Sequence, residues 1–324
     1  MACFIRAVLV NHRFGEYRIS SLALSVLDKY WESFACSQYL SSEERMDESI
    51  FGRTNACVGI SKDDCEQLWQ AATKMLDARN IVMKIVESLG DATSWVGERV
   101  QDVLKDKFGL DVSEKVQEIT QDFLWNFQSG AMTGLDADGI GDRWEWLHKA
   151  VVVASGLSGG FFGLPGLLWD LPITTANIMR SVADIARSFP GEDIKSDETK
   201  RACIEVFAVG SPLSEDDEAD LGYWAARTGL SHAGIELVIK TVAARFGVVV
   251  SEKIMTQAVP IAGAAAGGAL NYAFIDYYQE MARVHFMVRG VERRAPDSSA
   301  VRPCFAAIVR EIRSRRRIRG SKAE

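Results

Sequence analysis

The chain has 324 residues, 48% hydrophobic and 25% charged, which suffices for a sizeable core and excludes a wholly disordered chain. The net charge of −7 is unevenly spread, because Arg302 to Glu324 holds eight basic and two acidic residues while the rest is acidic. An acidic body argues against general nucleic-acid binding, whereas the basic end permits local contact with anionic lipid or RNA.

Residues 1–45 are mixed in character and end in SSEER before Met46. They read as an N-terminal extension with a short helical pattern, or as residues preceding a native start at Met46. The apolar run in MACFIRAVLV is too short for a secretory signal. Six cysteines (Cys3, Cys36, Cys57, Cys65, Cys203, Cys304) show neither C-x-x-C nor metal-ligand spacing. Reduced thiols in a cytoplasmic protein are therefore expected, with no metal and no cofactor.

From Ser61 the pattern becomes helical. Cys65, Leu68, Trp69, Ala72 and Met75 share one face at the 3.6-residue period. Val96, Val100, Val103 and Leu104 repeat the pattern before Gly109. Asp111 and Glu114 then resemble a capping box that opens a helix with Val116, Ile119, Phe123 and Phe127 on one side. The turn Asp136 to Asp142 departs from a calcium loop, since Gly139 comes early and Ile140 takes a ligand position.

Two uncharged stretches organise the remainder of the chain. Ala150 to Trp169 carries no charge over 20 residues, and Ile254 to Ile275 answers it. The first is long enough for a membrane span but is interrupted by glycines and Pro165, and Asp170 comes directly after it. Gly156/Gly160, Gly159/Gly163 and Gly263/Gly267 are small-xxx-small pairs that allow close helix packing. Pro165 and Pro172 are expected to kink or end the first segment, giving a helical hairpin or re-entrant loop. The sequence between the stretches offers Ser196 as a helix cap before Asp197 and Glu198, with a stop at Gly210. A long segment from Ile261 to about Arg294 precedes a linker, APDSSAVRP. The predicted class is an all-α helical bundle with two Gly/Ala-rich apolar segments. Its predicted division is 1–45, a helical domain 46–295, and a basic disordered tail 296–324.

Candidate chemistry is sparse. Gly156-Leu157-Ser158-Gly159-Gly160 fits G-x-S-x-G, in which glycines expose a serine on a strand-to-helix turn, with His232 or His285 as a later base in the chain. The near absence of strand patterns argues for helix packing instead, leaving a Ser158 hydrolase as the alternative. Arg180, Asp184 and Arg187, like Asp276, Glu280 and Arg283, recur at i, i+4 and i+7, which places each triplet on one helical face. With Asn177 they form a candidate polar interface or pocket. Antiparallel packing with Arg187 against Glu280 and Asp184 against Arg283 would pair opposite signs. Arg143, Trp144, Trp146, His148 and Lys149 suit a membrane interface or a core edge equally.

The blocks GGFFGLPGLLWDLPITTANIMRSVADIARSFPGED, RACIEVFAVG, GYWAAR and ARFGVVVSEKIMTQAVPIAGAAAGGALNYAFIDYYQEMARVHFMVRGVER resemble the EcsC family of bacterial proteins, over about Trp144 to Arg293. The resemblance implies a bacterial protein associated by gene neighbourhood with an ABC transporter, and no agreed catalytic residues. The combined expectation is a non-enzymatic accessory or interaction protein. It would be cytoplasmic and associated with the inner membrane, through the membrane surface or a membrane-protein partner. The alternatives are the Ser158 hydrolase and a membrane-inserting helical protein.

Overall fold

A computed structural model describes residues 57–88, 112–130, 164–208, 234–244, 246 and 263–320. The described residues contain helices and turns and no strand, so the chain is all-α as its periodicity predicts. In chain order the helices are α1 (Lys62–Ser88), α2 (Val112–Gln128), α3 (Leu164–Arg187), α4 (Asp197–Val206), α5 (Gly263–Arg294) and α6 (Val301–Gly320). Residues 235–244 are also helical.

Local chemistry fixes the ends of several elements. Ser61 caps α1: its Oγ accepts from the Asp64 backbone N–H at 3.1 Å and its hydroxyl donates to Asp64 Oδ2 at 2.7 Å. The predicted face of α1 is the one that is buried, from Cys65 through Leu68, Trp69 and Ala72 to Met75. Beyond the end of helix α2 stands Gly130 at φ +74°, the left-handed position that glycine fills without strain. Ser196 caps α4 through the Thr199 N–H, as the sequence predicts, and α4 closes at Val206, earlier than Gly210.

Neither proline ends α3, so of the kink or end expected from them the end does not occur. Pro165 stands in the first turn, where no intrahelical N–H bond is due, and the helix continues through Pro172 to Arg187. An interior proline costs about 3 kcal/mol. The turns beyond it bury Ile178, Met179, Val182 and Ile185, and each such side chain returns roughly 1.5–3 kcal/mol. Packing wins that comparison.

Helix α5 is the element that α1, α3, α4 and α6 all meet. Its 32 residues extend about 48 Å at 1.5 Å per residue. Phe274, Tyr277, Tyr278, Met281, Val284, Phe286, Val288 and Val291 are buried along it. Tyr278 packs at 5.4 Å on Phe207 and 5.6 Å on Phe246, which joins α5 to the end of α4 and to the segment after 244. Helix α1 runs antiparallel to α5, with Lys74 near Glu280 and Asp64 near Arg294. The turn after α5 is capped by Asp297, which accepts from the Ser299 N–H. It sends α6 back beside α1, where Arg316 meets Asp77.

The segment predicted as a disordered tail is therefore largely helix. Val301, Cys304, Phe305, Ile308, Val309 and Ile312 form a buried stripe on α6, and burial of that stripe against α1 outweighs the repulsion among its arginines.

Candidate functional site

Within the two charged triplets, two ion pairs close inside their own helices. Arg187 donates to Asp184 Oδ1 at 2.7 Å and Arg283 donates to Glu280 Oε1 at 2.6 Å, each pair closing within its own helix. Glu280 also lies 3.5 Å from Lys74 of α1. Two cations already neutralise that carboxylate, which disfavours metal ligation by Glu280 with the buried Asp276. Asn177 is buried and donates from Nδ2 to the Ile173 carbonyl at 2.7 Å, while Arg180 is half-buried on the same helix.

The helices carrying these triplets run parallel, not antiparallel. Gln279 Nε2 donates to Ser181 Oγ at 2.6 Å, an offset of 98 residues, and Arg289 meets Glu192 at an offset of 97. Phe286 packs on Phe189 between them, at 5.8 Å. Antiparallel helices could not keep one offset through three successive contacts. The supposed register of Arg187 on Glu280 is thus overturned, and the neutral pair Ser181–Gln279 is one polar contact between α3 and α5.

Where α3 turns into α4, a buried acid gathers two arginines. The Glu192 side chain is only 1% exposed. Its Oε1 accepts from Arg289 at 2.9 Å and Arg293 at 2.8 Å, and its Oε2 accepts from the Thr199 hydroxyl at 2.8 Å. Glu198 lies on the outer side of both arginines. Gly191, at φ +82°, offers its carbonyl to Arg293 at 3.1 Å. The arrangement ties the α3–α4 turn to α5 and leaves the acid fully neutralised.

Sequence spacing hid a third cluster. Cys57, Cys65 and Cys304 bring their sulfurs within 4.8 Å of one another, and Cys57 is bonded to Cys304. The expectation of reduced, scattered thiols is corrected for this pair, because the α5–α6 hairpin returns Cys304 to the start of α1. Cys65 and Cys203 are free and buried. Burial, and then the Asp64 carboxylate, push the Cys65 thiol above its ordinary value. Burial does the same more strongly at Cys203. At Asp64 burial pushes upward, but bonds from Arg294 and Ser61 outweigh it and hold the carboxyl below its usual value.

Helix α6 presents the remaining feature. Seven arginines stand against one acid, Glu311. Arg302 pairs with Glu292, Arg315 with Glu311 and the face of Trp69, and Arg316 with Asp77. Arg310, Ser314 and Arg317 share an exposed face at i, i+4 and i+7, next to Ile318.

Several sequence candidates lie outside the described residues: Ser158, Gly156, Gly159, Gly160, Gly163, His148, His232 and the Asp136–Asp142 turn. Gly263 and Gly267 open α5. His285, the other histidine considered as a base, is buried edge-on to Phe286 at 5.2 Å.

These features define a helical protein organised on one long central helix. A model of the EcsC protein family matches residues 67–291, and the chain belongs to that family. Neither the curated proteins nor the solved structures returned a match. The three clustered cysteines all lie outside the matched residues.

Proposed function

We propose that this EcsC protein is a non-enzymatic accessory protein of the bacterial cytoplasm that rests peripherally on the anionic face of the inner membrane. The outer face of α6 is the contact. One observation carries the reading: a folded arginine helix turns Arg310 and Arg317 outward beside Ile318, an apolar side chain 53% exposed. The opposite face of that helix is spent on α1, so the basic side is held in place rather than carried on a loose chain. None of the described helices is long and apolar enough to cross a membrane, and a peripheral contact requires none.

The magnitudes favour a reversible attachment. Each basic residue close to an anionic surface contributes about 1 kcal/mol, screened by salt. Two outward arginines therefore give a weak contact that high salt releases.

Vesicle co-sedimentation tests this. The chain should bind phosphatidylglycerol-containing vesicles and not neutral phosphatidylcholine vesicles. Arg310→Glu with Arg317→Glu should reduce binding by about thirtyfold or more, corresponding to about 2 kcal/mol, with an unchanged circular-dichroism melt. Equal binding to neutral vesicles would refute the electrostatic contact. Pelleting with native membranes but not with anionic vesicles would replace the lipid surface by a membrane-protein partner, of which the transporter implied by family resemblance is one.

A further inference from the structure

We propose that Cys57, Cys65 and Cys304 form a redox-gated binding site for a thiophilic d10 cation, with the Cys57–Cys304 disulfide and the metal-bound trio as alternative states. Such a site is separate from the membrane contact on α6 and shares with that reading only the cytoplasmic setting. In a reducing compartment disulfides are rare and, where present, are mostly transient or redox-sensing.

Geometry favours the site. Three sulfurs converge within 4.8 Å from three places in the chain: the turn before α1, the first turn of α1 and the first turn of α6. A cation bound at about 2.3 Å from each sulfur spreads them roughly 4 Å apart. Cys57 sits in the half-buried turn that contains Gly59 at φ +87°, and it can swing apart from Cys304 by side-chain rotation. Cys65 and Cys304 are fixed on helices and buried, which preorganises two of the three donors.

Chemistry points the same way. A structural disulfide needs two cysteines, and the third has no role in it. The nearest acid in sequence, Asp64, is already occupied by Arg294 and Ser61. No other histidine, cysteine or carboxylate joins the trio among the described residues. A soft three-sulfur set suits Cu(I) or Zn²⁺ rather than Mg²⁺ or Ca²⁺. Three-coordination favours Cu(I). Zn²⁺ would add a water and leave one negative charge in the site instead of two.

The steps balance. A dithiol or glutathione-class thiol reduces the Cys57–Cys304 bond, giving two cysteine thiols and the oxidised reductant. The cation then binds three thiolates and releases three protons. In the absence of metal, oxidised glutathione or another disulfide of that class takes up two electrons and two protons from Cys57 and Cys304, which restores their bond, releases two small thiols and leaves Cys65 as a thiol. Either state fastens the start of α6 to the start of α1, so the fold is kept while the site changes occupant.

The test uses the full chain, reduced anaerobically with a phosphine and titrated separately with Zn²⁺ and Cu(I) against chromophoric chelators. One equivalent should bind, with sulfur-to-metal charge-transfer absorption for Cu(I). Cys57, Cys65 and Cys304 should be protected from alkylation as mapped by mass spectrometry, while Cys203 is indifferent to metal. Cys65→Ser should weaken binding at least about 100-fold, yet still form the Cys57–Cys304 disulfide on oxidation, which shows that the variant folds. Cys65→Ala serves as the second variant. Failure of the reduced chain to bind either cation stoichiometrically overturns the proposal. So does protection mapped to Cys3 and Cys36, or wild-type affinity in both Cys65 variants.

Discussion

Helix α5 meets acids on two sides, with nearly the same geometry and very different burial. On one side Glu192 accepts from Arg289 and Arg293 at 2.9 and 2.8 Å with 1% of its side chain exposed. On the other, Asp64 accepts from Arg294 at 2.8 Å with the acid 14% and the arginine 51% exposed, against 14% and 32% for Arg289 and Arg293. Distance does not separate these contacts. Solvent does, because an ion pair in contact with water exchanges one good environment for another, while a buried acid has no alternative to its arginines. The α3–α4 side therefore holds the more deeply buried ion pairs, while the α1–α6 side combines apolar packing and sulfur with more exposed pairs such as Arg316–Asp77.

The largest expected effect breaks the more deeply buried pairs. Glu192→Ala removes the acid that faces Arg289 and Arg293 and leaves two adjacent cations, Arg289 largely shielded from water, with the exposed Glu198 and, for Arg293, the Gly191 carbonyl as remaining acceptors. Denaturant unfolding should show a loss of about 3 kcal/mol or more. A loss under 1 kcal/mol would mean that water reaches the site and that the contrast between the two sides is not one of burial.

A middle-sized effect probes the parallel register of α3 and α5. Ser181→Ala leaves Gln279 Nε2 without its acceptor in a fully buried place, at a cost of about 1–3 kcal/mol. Gln279 Oε1 already lacks a partner among the described residues. Adding Gln279→Leu removes the orphaned amide, so the double variant should be more stable than the sum of the singles by about 1 kcal/mol. Strict additivity would show that the two side chains do not meet.

The contrast also shows which parts of the fold the sequence could announce. Helical faces were legible, because periodicity is a property of neighbours in the chain: Cys65 to Met75 on α1, the Ser196 cap, and the long helix ending at Arg294. Register between helices was not. The triplets Arg180–Asp184–Arg187 and Asp276–Glu280–Arg283 looked like a matched pair, yet Arg187 closes on Asp184 and Arg283 on Glu280 within one helix, and such i, i+3 contacts say nothing of which way a neighbour runs. The register shows in Ser181 and Gln279, which no charge pattern marks. Cys57 and Cys304, 247 residues apart, were equally silent, since proximity there is made by a hairpin turn at Asp297. The helix α6 stripe from Val301 to Ile312 was present in the sequence but overshadowed by the arginines interleaved with it. Of the candidate site, the Ser158 motif and its glycines lie outside the described residues, while the thiol cluster had no linear signature at all.

The smallest effect lies on the exposed side and turns on pH. Asp64 is held below its ordinary value, with burial opposing and bonds from Arg294 and Ser61 prevailing. A carboxyl with a depressed folded pKa binds fewer protons folded than unfolded. Its contribution is thus fully present above the unfolded value of about 3.9 and disappears as pH falls through the lower folded value. Asp64→Asn should cost about 0–1 kcal/mol at neutral pH, the range of an exposed pair. That gap from wild type should stay level from mildly acidic to neutral pH and close under strongly acidic conditions. Added salt should narrow it at neutral pH, because Arg294 is open to solvent. A gap insensitive to both acid and salt would mean that Asp64 matters through its bond with Ser61 at the α1 cap. Asparagine keeps an acceptor oxygen for the Ser61 hydroxyl, whereas Asp64→Ala removes it, so alanine costing about 1 kcal/mol more than asparagine would locate the stabilisation in the cap rather than in the ion pair.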